Sequence, residues 1–322
     1  MSNPPEFPAH FEGQSSATYT PEALVTCLRV LGTLVKAVGA QHHGRLVVIG
    51  GLVPRLLFNE QSLDSLFAHS AHPGTNDVDL CIELDVPDGD DDFYQCLEES
   101  LRRFQFERAK VKNRDGQSLW RWQRTIEGIT VLVEFLTNDD AVVENTNGGR
   151  VGRLAHNETS KPGDEIGALR IRGAHLALID PEQRSIEVEL LDNNGKATVT
   201  VRVANLLAFV VLKSFAVHGR LKNKDSFDLV WVLTHYADGP VAAARDARAM
   251  RSAHHEDVGE AMRLLKAEFE TVDHTGCVRY ANFVHGSESA GTERYVRACR
   301  DAHGAVNAFL DVWFEEANRP IE

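Results

Sequence analysis

Asp77 and Asp79 stand two residues apart in Thr75-Asn76-Asp77-Val78-Asp79-Leu80. Alternation along an extended chain puts both carboxylates on one face and Val78 and Leu80 on the other, with the acids about 6.6 Å apart along the strand. Like charges that close on a half-buried surface repel, and each favours its neutral form unless a cation lies between them. A divalent cation removes the conflict, and Mg²⁺ takes one or two carboxylates together with phosphate oxygens of a substrate. A third acid, Glu134, is the only charge in the β-rich run from Ile129 to Leu136. Flanked by Val133 and Phe135, it either faces water at a sheet edge or holds something. The aspartate pair favours the second reading.

The elements that must position these acids begin upstream. Leu46-Val47-Val48-Ile49 reads as a short buried strand that stops at Gly50-Gly51, and Leu52 to Phe58 has helical spacing with Pro54 in the first turn. A strand, a glycine turn and a helix N-terminus aim free N–H groups and a partial positive charge at whatever precedes them, which suits a phosphate. A helix starting at Thr20 or Pro21, with Leu24, Leu28, Leu31 and Leu34 in one stripe, is expected to pack on the central sheet. After an acidic turn from Val86 to Asp92, Phe93, Leu97, Leu101 and Phe104 mark a second helix crossing the sheet.

Phe106 to Lys112 and Leu119 to Thr125 read as a hairpin turning at Asn113-Arg114-Asp115-Gly116. It carries Arg108, Lys110, Lys112, Arg114, Arg121 and Arg124 with Trp120 and Trp122 between them. Basic residues interleaved with aromatics can track a nucleic-acid strand, and an edge hairpin protected by charge gives the same pattern. Residues 139 to 167 read as a Gly- and Asn-rich loop without phosphate-motif spacing. Ala168 to Arg172, Ser185 to Leu190 and Ala197 to Val203 read as short strands of a small accessory sheet, the last two joined at Asn193-Asn194-Gly195.

In the second half, Asn205 is placed to cap a helix running through His218, where Lys213 is the only charge on an apolar face. Such a lysine either snorkels or meets an anion. Asn223 begins a further helix with Phe227, Val230, Trp231 and Leu233 as core; Asp225 is placed to cap it. Asp228, one turn on, is beyond capping and either pairs with Lys213 or positions an attacking group. From Pro240 onward, stripes through Ala261, Leu264, Leu265 and Phe269 and through Val306, Phe309, Leu310, Trp313 and Phe314 give a helical bundle. Its adjacent His254 and His255 face different ways on a helix and do not make a metal site.

With 322 residues and 43% hydrophobic content the chain is long enough for about two domains with real cores. A net charge of −13 argues against non-specific coating of nucleic acid. Five cysteines without a CxxC pair argue against a disulfide framework or zinc knuckle and fit a reducing, cytoplasmic setting. The first residues show no basic apolar leader, so no secretion signal is expected, and no apolar run reaches the roughly 20 residues of a membrane span.

Taken together, the double glycine, the Thr-x-Asp-hydrophobic-Asp strand and the later hydrophobic-Glu-hydrophobic strand resemble the core signature of the polymerase-β-like nucleotidyltransferases. Within them the chain most resembles the AbiEii/AbiGii toxin group. Lys213-Ser214-Phe215-Ala216-Val217-His218-Gly219-Arg220 reads KxxAxxxR, and Asp225-Ser226-Phe227-Asp228 reads DxxD, similar to that group's downstream motifs and in the same order. The likeness spans roughly residues 20 to 236. It implies an α+β fold, a polymerase-β-like mixed sheet with flanking helices plus a C-terminal helical domain. The expected divisions are a flexible arm over 1–19, a nucleotidyltransferase-like domain with accessory strands over 20–203 and a helical domain over 204–322, the active site lying in the cleft between the two domains.

The resemblance further implies transfer of a nucleoside monophosphate from an NTP to RNA, tRNA ends included, or to a protein, with release of pyrophosphate, in a toxin-like or phage-defence-like role. Mg²⁺ or Mn²⁺ is the implied metal, held by Asp77, Asp79 and Glu134, with Lys213 and Asp228 joining them as catalytic groups. The implied nucleotide contacts are Gly50, Gly51, Arg55, Thr75, Lys213, Arg220 and Lys224; a cognate antitoxin is the implied partner, and no membrane is. The chain departs from the group in its long segment from Gln61 to Gly74, a lid or a surface insertion, and in lacking an arginine near the aspartate strand. His69 and His72 in that segment are read as a solvent-exposed loop ahead of a metal site, no third ligand being near. The main alternative is a catalytically silent nucleotide-binding regulator or antitoxin-type partner. A metal-dependent glycosyltransferase also uses Asp-x-Asp but needs neither the double glycine nor Lys213; a purely structural partner protein would show repeats or heptads, and none are found.

Overall fold

The computed structural model describes residues 15–58, 72–82, 91–110, 117–138 and 166–317. The first part of the arm, most of the 61–74 insertion with His69, the 86–90 acidic turn, the 113–116 hairpin turn with Lys112, and the 139–165 loop lie outside the described residues. The chain divides into two compact units, one of residues 20–209 and one of residues 15–19 with 210–317.

The first unit is built on one mixed sheet. Its strands are β1 (Leu46–Ile49), β2 (Asp77–Ile82), β3 (Glu107–Lys110), β4 (Gln117–Ile126), β5 (Ile129–Asn138), β6 (Leu169–Ile171), β7 (Glu182–Glu189) and β8 (Lys196–Val203). They lie in the order β3-β4-β5-β2-β1-β8-β7, with β6 beside β5. Neighbours are antiparallel except β2 with β5, β1 with β8 and β5 with β6. All four residues of β1 are buried, as a continuous β-branched run requires. The expected accessory sheet is therefore not separate: β7 and β8 extend the main sheet, and the Ala204 N–H donates to the Val48 carbonyl at 2.9 Å. The reason is hydrogen bonding. A buried strand must have both of its edges paired, and β2 supplies only one partner for β1.

Helix α1 (Pro21–Val38) starts as its sequence dictates, with the Thr20 hydroxyl accepting from the Ala23 N–H at 3.2 Å and Pro21 at its first position. It buries Leu24, Cys27, Val30, Leu31 and Leu34; Leu28 lies only half-buried. The glycine turn runs through a 3₁₀ turn at Gly50–Leu52 into α2 (Val53–Leu57), five residues instead of the longer helix expected. Helix α3 (Asp91–Arg103) buries Phe93, Leu97 and Leu101 as its spacing predicts.

The second unit is helical. Helix α4 (Leu206–Gly219) carries the chain from one unit to the other, its start capped by Asn205 Oδ1 accepting from the Ala208 N–H at 3.0 Å. Helices α5 (Asn223–His235), α6 (Pro240–Ala249), α7 (Glu256–Glu268), α8 (Thr275–His285) and α9 (Glu293–Ala317) follow. Their core is Val230, Trp231, Leu233, Ala244, Val258, Ala261, Leu265, Phe269, Phe283, Val306, Phe309 and Trp313. His255 caps α7, its Nδ1 accepting from the Asp257 N–H. At the end of the arm, Tyr19 packs on Phe283 with ring centroids 6.0 Å apart and beneath the Lys224 ammonium. No helix among the described residues is long and apolar enough to cross a membrane. The chain thus has the α+β organisation that the sequence predicts, a mixed sheet with flanking helices followed by a helical C-terminal part.

Candidate active site

Strand register brings the three acids together. In the parallel pair β2–β5, Asp77 lies opposite Leu132 and Asp79 opposite Glu134. Residues two apart share a face, and partners in register share it too, so Asp77, Asp79 and Glu134 all project from one side of the sheet. All three are partly exposed, whereas Val78, Leu80, Val133 and Phe135 on the other face are buried. Glu134 is not an edge residue, since β5 lies inside the sheet between β4 and β2.

Gly50 completes this corner. Ile49 pairs with Asp79 across β1–β2, and the chain then turns at Gly50 with φ +70°. A Cβ there would lie 2.7 Å from Asp79 Cγ and closer still to its Oδ2. Glycine is required twice, for the backbone conformation and for the approach of the carboxylate. Gly51 is buried directly after it. Because α2 is little more than one turn long, few peptide dipoles add along it, and the turn's own N–H groups are what this corner offers to an anion. On the far side stands Cys27 of α1, fully buried, its Sγ donating to the Thr75 carbonyl at 3.4 Å. Burial, and then the charges of Asp77 and Asp79, push its thiol well above the ordinary range.

Thr75 and Arg55, implied as nucleotide contacts, are both largely buried. The Thr75 hydroxyl accepts from the Asp77 N–H at 3.3 Å, so it sets the entry into β2. His72 corrects the expectation of a solvent-exposed loop: it is 2% exposed and its Nδ1 accepts from the Gly74 N–H at 3.1 Å. That bond fixes the turn immediately before the aspartate strand.

A residue that the sequence placed only in the basic hairpin joins the acids. Arg121 on β4 pairs in register with Glu134, its Nη2 2.6 Å from Glu134 Oε1. Alternation within β4 was legible, but the β4–β5 register that places Arg121 on the acid face was not. Among the described residues of the hairpin, Arg108 and Arg124 serve the fold, which favours the edge-hairpin reading. Trp122 is 1% exposed, with Arg102 and Arg108 over its ring, and Arg124 makes a two-pronged pair with Asp192 and donates to the Phe104 carbonyl at 2.8 Å. β3 is the edge strand at this end of the sheet, among the described residues.

The second cluster lies in the helical unit. Lys213 of α4 meets an anion, as one of its two readings required, but the anions are carboxylates of its own chain: Nζ lies 2.9 Å from Asp225 Oδ1 and 2.6 Å from Asp228 Oδ2. Lys224 holds Asp228 through both oxygens at 2.7 and 2.8 Å, and Arg220 holds Asp225 at 2.6 and 2.9 Å. Asp225 therefore does not cap α5, which has no side-chain cap. It links two cations instead. Burial alone would raise the Asp225 carboxyl, but Lys213 and Arg220, by charge and hydrogen bond, hold it well below the usual carboxylate range. Burial lowers both ammonium groups. Against two carboxylates Lys213 still ends above its ordinary value, whereas Lys224, repelled by Lys213, ends below its own.

With this geometry in place, comparison with known proteins gives one match. Residues 165–299 match the family described as "Nucleotidyl transferase AbiEii toxin, Type IV TA system". The matched region includes Lys213, Arg220, Lys224, Asp225 and Asp228, and it begins after the three acids and the double glycine. The chain matches no curated protein and no solved structure.

Proposed function

We propose, from the match of residues 165–299 to the nucleotidyl transferase AbiEii toxin family, that the chain moves a nucleoside monophosphate from an NTP onto an acceptor, RNA such as a tRNA end or a protein. The acceptor oxygen forms a bond to the α-phosphorus, the bond to the β-phosphate bridging oxygen breaks, and pyrophosphate leaves. The observation that carries this reading is the register of Asp79 with Glu134 and the packing of Asp79 on Gly50, which set three carboxylates beside a glycine turn.

The donor set fits a hard divalent cation. It consists of three carboxylates on a partly exposed sheet face, which suits Mg²⁺ or Mn²⁺ and not zinc. Asp77, Asp79 and Glu134 would hold the ion; bound there, it supplies charge neutralisation of the triphosphate. Gly50 lets the Asp79 carboxylate close on the turn, and the N–H groups of the Gly50–Gly51 turn would orient the phosphates. Thr75 and His72 fix the start of β2 and so hold Asp77 in place. Asp225 and Asp228 take up the charge of Lys213 and tie α4 to α5, and within the helical unit this is the role in which Lys213 enters the reading. A toxin of this family implies an antitoxin, and a protein partner encoded with this chain is expected to suppress the transfer.

The test is direct. Incubated with each α-labelled NTP, Mg²⁺ and total cellular RNA, the wild-type chain should pass label to RNA or to protein, and Asp77→Ala and Asp79→Ala should do so at least about 100-fold more slowly, the scale set by loss of one transition-state contact. Label transfer by both variants at the wild-type rate would end the reading, as would no transfer by wild type with any NTP.

A further inference from the structure

Arg121 stands among the three acids, and neither the family match nor the sequence motifs assign it a role. The match begins at residue 165, and Arg121 is not within either downstream motif. Three observations define its position. The register Asp79–Glu134–Arg121 across β2, β5 and β4 places the guanidinium on the acid face. Its Nη2 lies 2.6 Å from Glu134 Oε1, with the arginine side chain 37% and the glutamate 13% exposed. Beyond that pair it lies against the Trp120 ring, 4.5 Å from the centroid, and its Nε is buried without a hydrogen-bond partner among the described residues. Among the described residues its side chain is therefore held by one ion pair and a stacking surface, with no hydrogen bond to the backbone to lock it.

Charge explains what such a residue does. Three carboxylates on one sheet face repel one another, and an arginine on the third offsets part of that repulsion. A divalent cation bound by the same carboxylates makes that offset redundant at Glu134. It would arrive with a triphosphate, whose negative charge the acid face opposes. A guanidinium fork released from Glu134 is the group best shaped to take two phosphate oxygens. We propose that Arg121 is an exchangeable internal cation: it pairs with Glu134 when no metal is bound, and it turns along Trp120 to the phosphates of the nucleotide when a divalent cation takes Glu134.

This rests on the metal and nucleotide roles given above to the acid face, and the experiment separates the two. Mn²⁺ uptake by the full chain, followed through loss of the free Mn²⁺ electron paramagnetic resonance signal, is measured for wild type, Asp79→Asn, Arg121→Gln and Arg121→Lys. KM for the NTP at saturating Mg²⁺ is then measured for wild type and both arginine variants. Removing the competitor should make Arg121→Gln bind Mn²⁺ about 3-fold more tightly, the scale of a partly exposed ion pair. The same change should raise KM about 10-fold, the scale of a charge-assisted phosphate contact. Arg121→Lys keeps the charge and loses the fork, so it should bind Mn²⁺ as wild type does and show an intermediate KM. A merely structural arginine would not move the two constants in opposite senses. If wild type takes up Mn²⁺ and Arg121→Gln matches it, or if KM does not change, the exchange is wrong and the metal site stands. If wild type and Asp79→Asn both take up none, the metal site fails and the exchange fails with it.

Discussion

At Gly50 a single missing Cβ links the turn to the acid beside it. The backbone there has φ +70°, and the space a side chain would fill is occupied by the Asp79 carboxylate. Alanine at this position would cost about 1–2 kcal/mol in backbone strain alone and would also push Asp79 away from Asp77 and Glu134. Gly50→Ala is accordingly expected to lower the urea unfolding midpoint and, in the folded protein, to weaken Mn²⁺ uptake along with label transfer. A variant that unfolds earlier but binds Mn²⁺ as wild type does would show that Asp79 is not set by the glycine.

The α4–α5 pair shows how an element can be pinned by charge. Asp228 is fully buried between Lys213 and Lys224, and Asp225 lies between Lys213 and Arg220. Removing one partner of such a buried cluster leaves an uncompensated charge and costs about 3–5 kcal/mol. Asp228→Asn, which keeps the shape, should therefore shift the urea midpoint strongly; a shift no larger than that of a surface substitution would contradict the burial of these charges. The pH dependence has a definite sign. The folded-state value of Asp225 is depressed, so its contribution is fully present above the unfolded carboxylate value of about 3.9 and is lost as pH falls through the lower folded value. Stability followed from pH 6 to pH 2 should fall less steeply below about pH 4 in Asp225→Asn than in wild type.

At the scale of the molecule, the balance of charge limits how the chain can meet an acceptor. The net charge is −13, and the described arginines of the hairpin are held by Glu134, Asp192 and Trp122. Association with random-sequence RNA should then rest on few phosphate contacts. With about two such contacts, affinity measured by fluorescence anisotropy should fall less than about tenfold between 50 and 200 mM salt. A steep dependence would mean that the chain carries a basic surface that takes many phosphates.

Local rules determined much of this protein from the residues alone. Thr20 and Asn205 cap helices because their side chains have the oxygen a helix start needs, and β1 is buried because nothing in it is polar. The common face of Asp77 and Asp79 follows from strand alternation, and the glycine turn follows from Gly50 and Gly51. Lys213 in an apolar helix left two readings open, snorkelling to water or meeting an anion. Only the tertiary structure decided that β8 pairs with β1, that Glu134 lies opposite Asp79, that Arg121 lies opposite Glu134, and that the anions for Lys213 are Asp225 and Asp228. Alternation and capping act within one segment, where the backbone period fixes which side chains share a face. Register and ion pairing join segments far apart in sequence, and they are set by which arrangement buries the apolar faces and satisfies every backbone group at once.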